Sequence, residues 1–131
     1  MRRLVPLNID LACLILRVVL GAVLLAHGIP KVMGFAGTAG FFASVGVPAP
    51  TLAAAYAAAV EVGGGVLIIL GIAVDIAGLL FALDILGAII FVHFKNGFTG
   101  QGGYEFPLML FAAAVAVALA GPGAYSVGGR K

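Results

Sequence analysis

TLAAAYAAAVEVGGGVLIILGIAVDIAGLLFALDILGAIIFVHF, Thr51 to Phe94, is an almost unbroken apolar run whose only Asp, Glu, Lys or Arg residues are Glu61, Asp75 and Asp84. A helix crossing a hydrocarbon core of roughly 30 Å needs roughly 20 mostly apolar residues. The run is long enough for two crossings, and "GIAVD" near its middle is where it can turn. It reads as two helices, Thr51–Ile72 and Val74–Phe94, in a tight antiparallel hairpin. Working outward, Ile9–Ile29 supplies a further span before it. Phe106–Gly121 supplies another after it, short enough to need its flanks. The expected fold class is all-α: a polytopic membrane protein, a four-transmembrane-helix bundle forming one domain over residues 1–131.

Composition agrees with a lipid solvent. The chain of 131 residues is 63% hydrophobic without its 20 glycines and 9% charged. Soluble domains carry roughly 25% charged residues, and no soluble fold of this size could hide so much apolar surface. A net charge of +2 gives no reason to expect nucleic acid as a partner. The single Cys13 allows neither an intrachain disulfide nor CxxC chemistry. Asp10 and Arg17 interrupt the first apolar stretch and no small-x-small site closes it promptly, so it reads as a retained span rather than a cleaved signal.

The first loop, "KVMGFAGTAGFFASVGVPAP", is apolar too. Phe35, Phe41, Phe42 and Val45 suit a short helix lying at the interface, with Thr38 as its candidate N-cap and Pro48 and Pro50 ending it. Arg2, Arg3, Arg130 and Lys131 stand on the termini, whereas Lys31 and Lys95 stand on the opposite side. That asymmetry predicts both termini in the cytoplasm. "GAVLLAH" (Gly21–His27) echoes "GAIIFVH" (Gly87–His93), which fits two hairpins in parallel repeat; chance likeness between apolar segments fits equally.

Arg17, Glu61 and Asp84 fall near the centres of separate spans. A charge there costs at least roughly 2.5–3.5 kcal/mol, so each needs a partner or a task. Ala54, Ala57, Ala58, Gly64 and Gly65 share the Glu61 side, and Gly21 and Gly28 lie near the Arg17 side; small residues let helices approach. The three charges are therefore expected to meet at the midplane, one arginine facing two carboxyl groups, with one carboxylic acid protonated. Such a network either locks the bundle or serves a ligand or proton site.

A second polar layer is expected at the outer end, around "HFKNGFTGQGGYEFPL" (His93–Leu108). His27, Lys31, His93, Asn96, Tyr104 and Glu105 map there as the wall of an outer cavity, with Glu105 beside Lys31 and Tyr104 as a lid. The plain alternative is snorkelling lysine and a solvated loop. Two histidines without further nearby soft ligands predict no metal. The glycines form no phosphate loop, because no Walker lysine follows. Glu105 and Pro107 suit a helix start.

"LRVVLGAVLLAHGIPKVMGF", "FFASVGVPAP", "AAAVEVGGGVLIILG" and "HFKNGFTGQGGYEFPLMLFAAAVAVALAGPGAYSV" together resemble the DoxX family of small bacterial membrane proteins across almost the whole chain. The resemblance implies a four-helix bundle in the bacterial cytoplasmic (inner) membrane. It also implies redox physiology: relatives work with thiosulfate–quinone oxidoreduction, or beside a superoxide dismutase and a sulfurtransferase in oxidative-stress defence. The expected role is a membrane subunit or anchor of a redox or sulfur-compound detoxification complex. Soluble redox enzymes or other membrane subunits would be its partners and quinone its candidate ligand. No haem, flavin or iron–sulfur motif is present, and catalysis by this chain itself is left open. A small-solute or proton-coupled transporter, whose small size would call for an oligomer, and a non-enzymatic scaffold are the competing functions.

Overall fold

The structure, a computed structural model, describes residues 2–129, so Arg130 and Lys131 lie outside the described residues. The elements are α1 (Ile9–Met33), α2 (Phe35–Ser44), α3 (Pro50–Leu70), α4 (Val74–Ala88) and α5 (Glu105–Ala120). A π turn, Ile89–His93, and a 3-10 turn, Phe94–Asn96, extend α4. The described residues contain helices and no strand. Ile9–Met33, Pro50–Leu70 and Val74–Asn96 are long and apolar enough to cross a membrane, and α5 is apolar but shorter.

Local chemistry accounts for most of the boundaries. Asn8 caps α1, its side chain accepting from the Leu11 amide. The first span was expected to end at Ile29; α1 instead runs through Pro30 and one turn further, to Met33. A proline lacks its own N–H, but near a helix end few bonds remain to be lost. Thr38 is not an N-cap: Gly34 holds that place, and the Thr38 hydroxyl lies inside α2, donating back to the Gly34 carbonyl at 3.2 Å. Pro50 opens α3. The turn into α4 is as short as expected. Gly71 adopts φ 78° there, and the Gly71 and Ile72 amides bond back to Ile68 and Leu67. That left-handed pairing is open to glycine at little cost.

Packing is antiparallel and close. α1 lies on α3, α4 on α5, and the two hairpins join through α3 and α4. The small faces named above are the buried ones: Gly21 and Gly28 on α1, and Ala54, Ala57, Ala58, Gly64 and Gly65 around Glu61 on α3. A Cβ on Gly21 would come 2.8 Å from the Gly65 carbonyl, and one on Gly28 would come 2.7 Å from the Glu61 Cβ. Large residues such as Ile15, Val19, Leu79, Leu83 and Ile90 are left on the outside, where lipid is as apolar as they are. The echoed glycines differ in this respect, because a Cβ on Gly87 would meet nothing within 4 Å. Gly21→Val should therefore lower stability by about 1–3 kcal/mol through overpacking. Gly87→Val should leave the thermal midpoint of the detergent-solubilised protein within error. Equal shifts would refute this register of α1 on α3.

Candidate functional site

The buried charges separate into two groups. Arg17 is 1% exposed and lies where α3 ends. Its Nη1 donates to the Ile69 carbonyl at 3.0 Å and the Ile68 carbonyl at 3.3 Å, and its Nη2 donates to the Tyr125 carbonyl. Val127 donates its amide to the Leu70 carbonyl. A helix leaves its last four carbonyls without intrahelical donors. Here Leu67, Ile68, Ile69 and Leu70 all receive one, from the Gly71 turn, from Arg17 or from the tail. The guanidinium also complements the negative end of the α3 dipole.

This corrects the expected midplane triad: Arg17 pairs with backbone carbonyls, not with Glu61 or Asp84. Gly28, not Arg17, lies level with Glu61. Eleven residues of α1 separate them, about 16 Å at 1.5 Å per residue. Arg17 braces α1, the end of α3 and the tail after α5. Asp10, whose carboxylate accepts the Ala124 amide at 3.0 Å, secures the same tail.

The second group lines a cleft of about 800 Å³ among all five helices. At its floor the Lys31 Nζ meets the Glu61 Oε1 at 2.8 Å. Glu61 is 4% exposed, and its carboxyl group is also in hydrogen-bonding contact with that of half-buried Asp84. Lys31 lines the cavity as expected but does not turn to Glu105, and it does not snorkel outward; its stem turns into the bundle. Its Nζ also donates to the His27 carbonyl at 3.3 Å. Glu61 explains the direction, since a buried carboxylate draws the nearest cation that can reach it.

His27 and His93 line the same cleft. The π turn that ends at His93 lies beside it; such turns re-aim the side chains at a helix end. His93 Nδ1 lies 2.7 Å from the Gly102 carbonyl, and the Asn96 amide donates to that carbonyl at 3.1 Å. Asn96 thus closes the loop and does not line the cleft. Nor do Tyr104 and Glu105. The Tyr104 ring stacks on Phe94, with centroids 5.5 Å apart, and meets the edge of Phe98. Glu105 is exposed at the start of α5. The expected Glu105–Lys31 contact is therefore replaced by Glu61–Lys31, and Glu105 keeps only its place at the positive end of the α5 dipole.

Most aromatic and hydroxyl groups of the cleft were missed, Tyr56, Phe42 and Phe91 among them. Tyr56 donates to the Leu80 carbonyl at 2.6 Å and so ties α3 to α4 beside Asp84. A signal was present, because a phenol among alanines in an apolar span must find an acceptor. Phe42 from α2 and Phe91 from the π turn complete the apolar wall. Their positions depend on how α2 folds back over the bundle, and no local pattern shows that.

The DoxX family pattern matches residues 12–94. The chain is 40% identical over 114 residues to a Bacillus subtilis protein named "Putative oxidoreductase CatD", covering 87% of this chain and 82% of that one. It is 33% identical over 123 residues to an Escherichia coli protein named "Inner membrane protein YphA", covering 89% and 88%. No solved structure matches it. Apolar helices of spanning length, a buried ion pair between the first two of them and a family match over most of the chain agree: this is a membrane protein that belongs to the DoxX family.

Proposed function

We propose that the cleft binds a quinone-type ring, and that the protein serves as a membrane subunit through which soluble redox partners reach that ring. The observation that carries this reading is Asp84. Lys31 and Glu61 already neutralise each other, so a lock for the bundle needs no third ionisable group. Asp84 nevertheless stands beside them on a cleft walled mostly by apolar and aromatic groups. A concave, mostly apolar pocket of roughly 300–1,000 Å³ with a few convergent polar groups is what small-ligand sites look like. Ionisable groups within a span mark function by default. One proton shared between Glu61 and Asp84 would leave the trio neutral. The name of the Bacillus relative as an oxidoreductase fits the same role.

The test is binding. Purified protein in lipid nanodiscs should retain decylubiquinone in equilibrium dialysis, and Asp84→Asn should weaken retention about tenfold, the worth of one hydrogen bond to a charged or strongly polar group. No retention by the wild-type protein would refute the reading, and solute flux in liposomes would then favour transport.

In this proposal α5, with its flanks, makes a fourth crossing of the inner membrane and both termini face the cytoplasm. In a Cys13→Ala background, Gly100→Cys should react with an impermeant thiol reagent in intact spheroplasts, while Arg2→Cys should react only after lysis. The reverse pattern would overturn the orientation.

A further inference from the structure

The donors of the cleft are nearly all committed to the protein itself. The Tyr56 hydroxyl donates to Leu80, and the Thr38 hydroxyl to the Gly34 or Lys31 carbonyl. Two of the three Lys31 protons go to Glu61 and to the His27 carbonyl. A proton shared between the adjoining Glu61 and Asp84 carboxyl groups would be held by that pair.

The histidines complete the pattern. His27 Nδ1 lies 3.2 Å from the Val23 carbonyl, and His93 Nδ1 lies 2.7 Å from the Gly102 carbonyl. A carbonyl oxygen can only accept, so each Nδ1 carries the proton. In the neutral ring each Nε2 then holds a lone pair. No described residue engages either Nε2. What remains for a ligand is one N–H of Lys31 against many acceptors: two imidazole nitrogens, the outer carboxyl oxygens and two hydroxyl oxygens.

From this imbalance we infer that the cleft selects the hydroquinone form, an aromatic ring bearing hydroxyl groups, over the oxidised quinone. The inference rests on the ring-binding reading above and adds the redox state of the ring. A hydroquinone brings two O–H donors to lone pairs that have no other partner. An oxidised quinone brings only carbonyl oxygens, which would face those lone pairs without a proton between them. Sites built to hydrogen-bond a substrate group reject the analogue that lacks it, because their buried polar atoms are left unpaired.

The experiment compares decylubiquinol, kept under nitrogen, with decylubiquinone on the protein in nanodiscs. The quinol should bind at least about tenfold more tightly, the equivalent of one net hydrogen bond. His93→Asn, whose amide can still reach the Gly102 carbonyl but places nothing at the Nε2 position, should lose most of that preference. His93→Gln, whose amide oxygen can take the Nε2 place, should keep it. His27→Phe should also lessen the preference without abolishing quinone binding, which covers the case of a His93→Asn protein that does not fold. Equal affinities, or a tighter quinone, would overturn the inference and leave ring binding standing. Binding of neither form would remove ring binding, and the inference with it.

Discussion

Lys31→Met will destabilise the protein more than any other single change in the cleft. Glu61 is nearly inaccessible, and among the described residues its paired cation is Lys31, at 2.8 Å. Removing one partner of a buried pair typically costs about 3–5 kcal/mol, because the other charge is left uncompensated. A quarter of the Lys31 side chain is exposed, so the lower part of that range is expected. The thermal midpoint of the detergent-solubilised protein, followed by size-exclusion recovery after heating, is the readout. Adding Glu61→Gln removes the stranded charge and should restore most of the loss, since contacting residues couple strongly. The rescued double variant should still fail to retain decylubiquinone. Full retention would show that the pair holds helices and nothing else. A double variant as unstable as the summed single changes would show that Lys31 and Glu61 are not coupled.

Arg17→Leu is the second large effect, and it should behave differently. The change leaves the Ile69 and Tyr125 carbonyls without their donor, whereas Ile68 keeps the Gly71 amide. A buried acceptor left unsatisfied costs about 1–3 kcal/mol; both of these bonds are only part-buried, so the two together should cost about 2–3 kcal/mol, the lower part of the summed range. The tail after α5 should loosen with it, and protease should cut between residues 121 and 129 sooner than in the wild-type protein. Here Glu61→Gln should rescue nothing. Sites farther apart than about 10 Å add within roughly 0.5 kcal/mol, and Arg17 lies about 16 Å along α1 from the level of Glu61. Rescue by Glu61→Gln would restore the midplane triad that the sequence suggested. Gly71 offers a check on the same brace, because a Cβ there would meet the Arg17 Nη1. Gly71→Ala should shift stability in the same direction as Arg17→Leu.

The helices and their inward faces are legible in the sequence. Hydropathy marked α1, α3 and the run of α4 with its π and 3-10 turns to within about a turn. The spacing of Gly21, Gly28, Ala54, Ala57, Gly64 and Gly65 marked the sides that would touch, since helical period and side-chain size are properties of the local chain. Glu61 and Asp84 could be placed on one level for the same reason: each lies about 15 Å from the end of its own helix. Partner choice was not legible. Lys31 and Arg17 are both basic residues on α1, and both ends of α1 offered something to bind. Which one reaches Glu61 depends on how far α1 slides along α3, at 1.5 Å per residue, and α1 runs a turn beyond Pro30. The competing acceptors that hold Arg17 are backbone carbonyls at the end of α3 and in the tail. Every residue has such a carbonyl, so no side-chain pattern announces them. In a bilayer each polar group must find its partner within the protein. Composition therefore shows that Arg17 and Lys31 will be satisfied, and the packing of distant segments chooses by what.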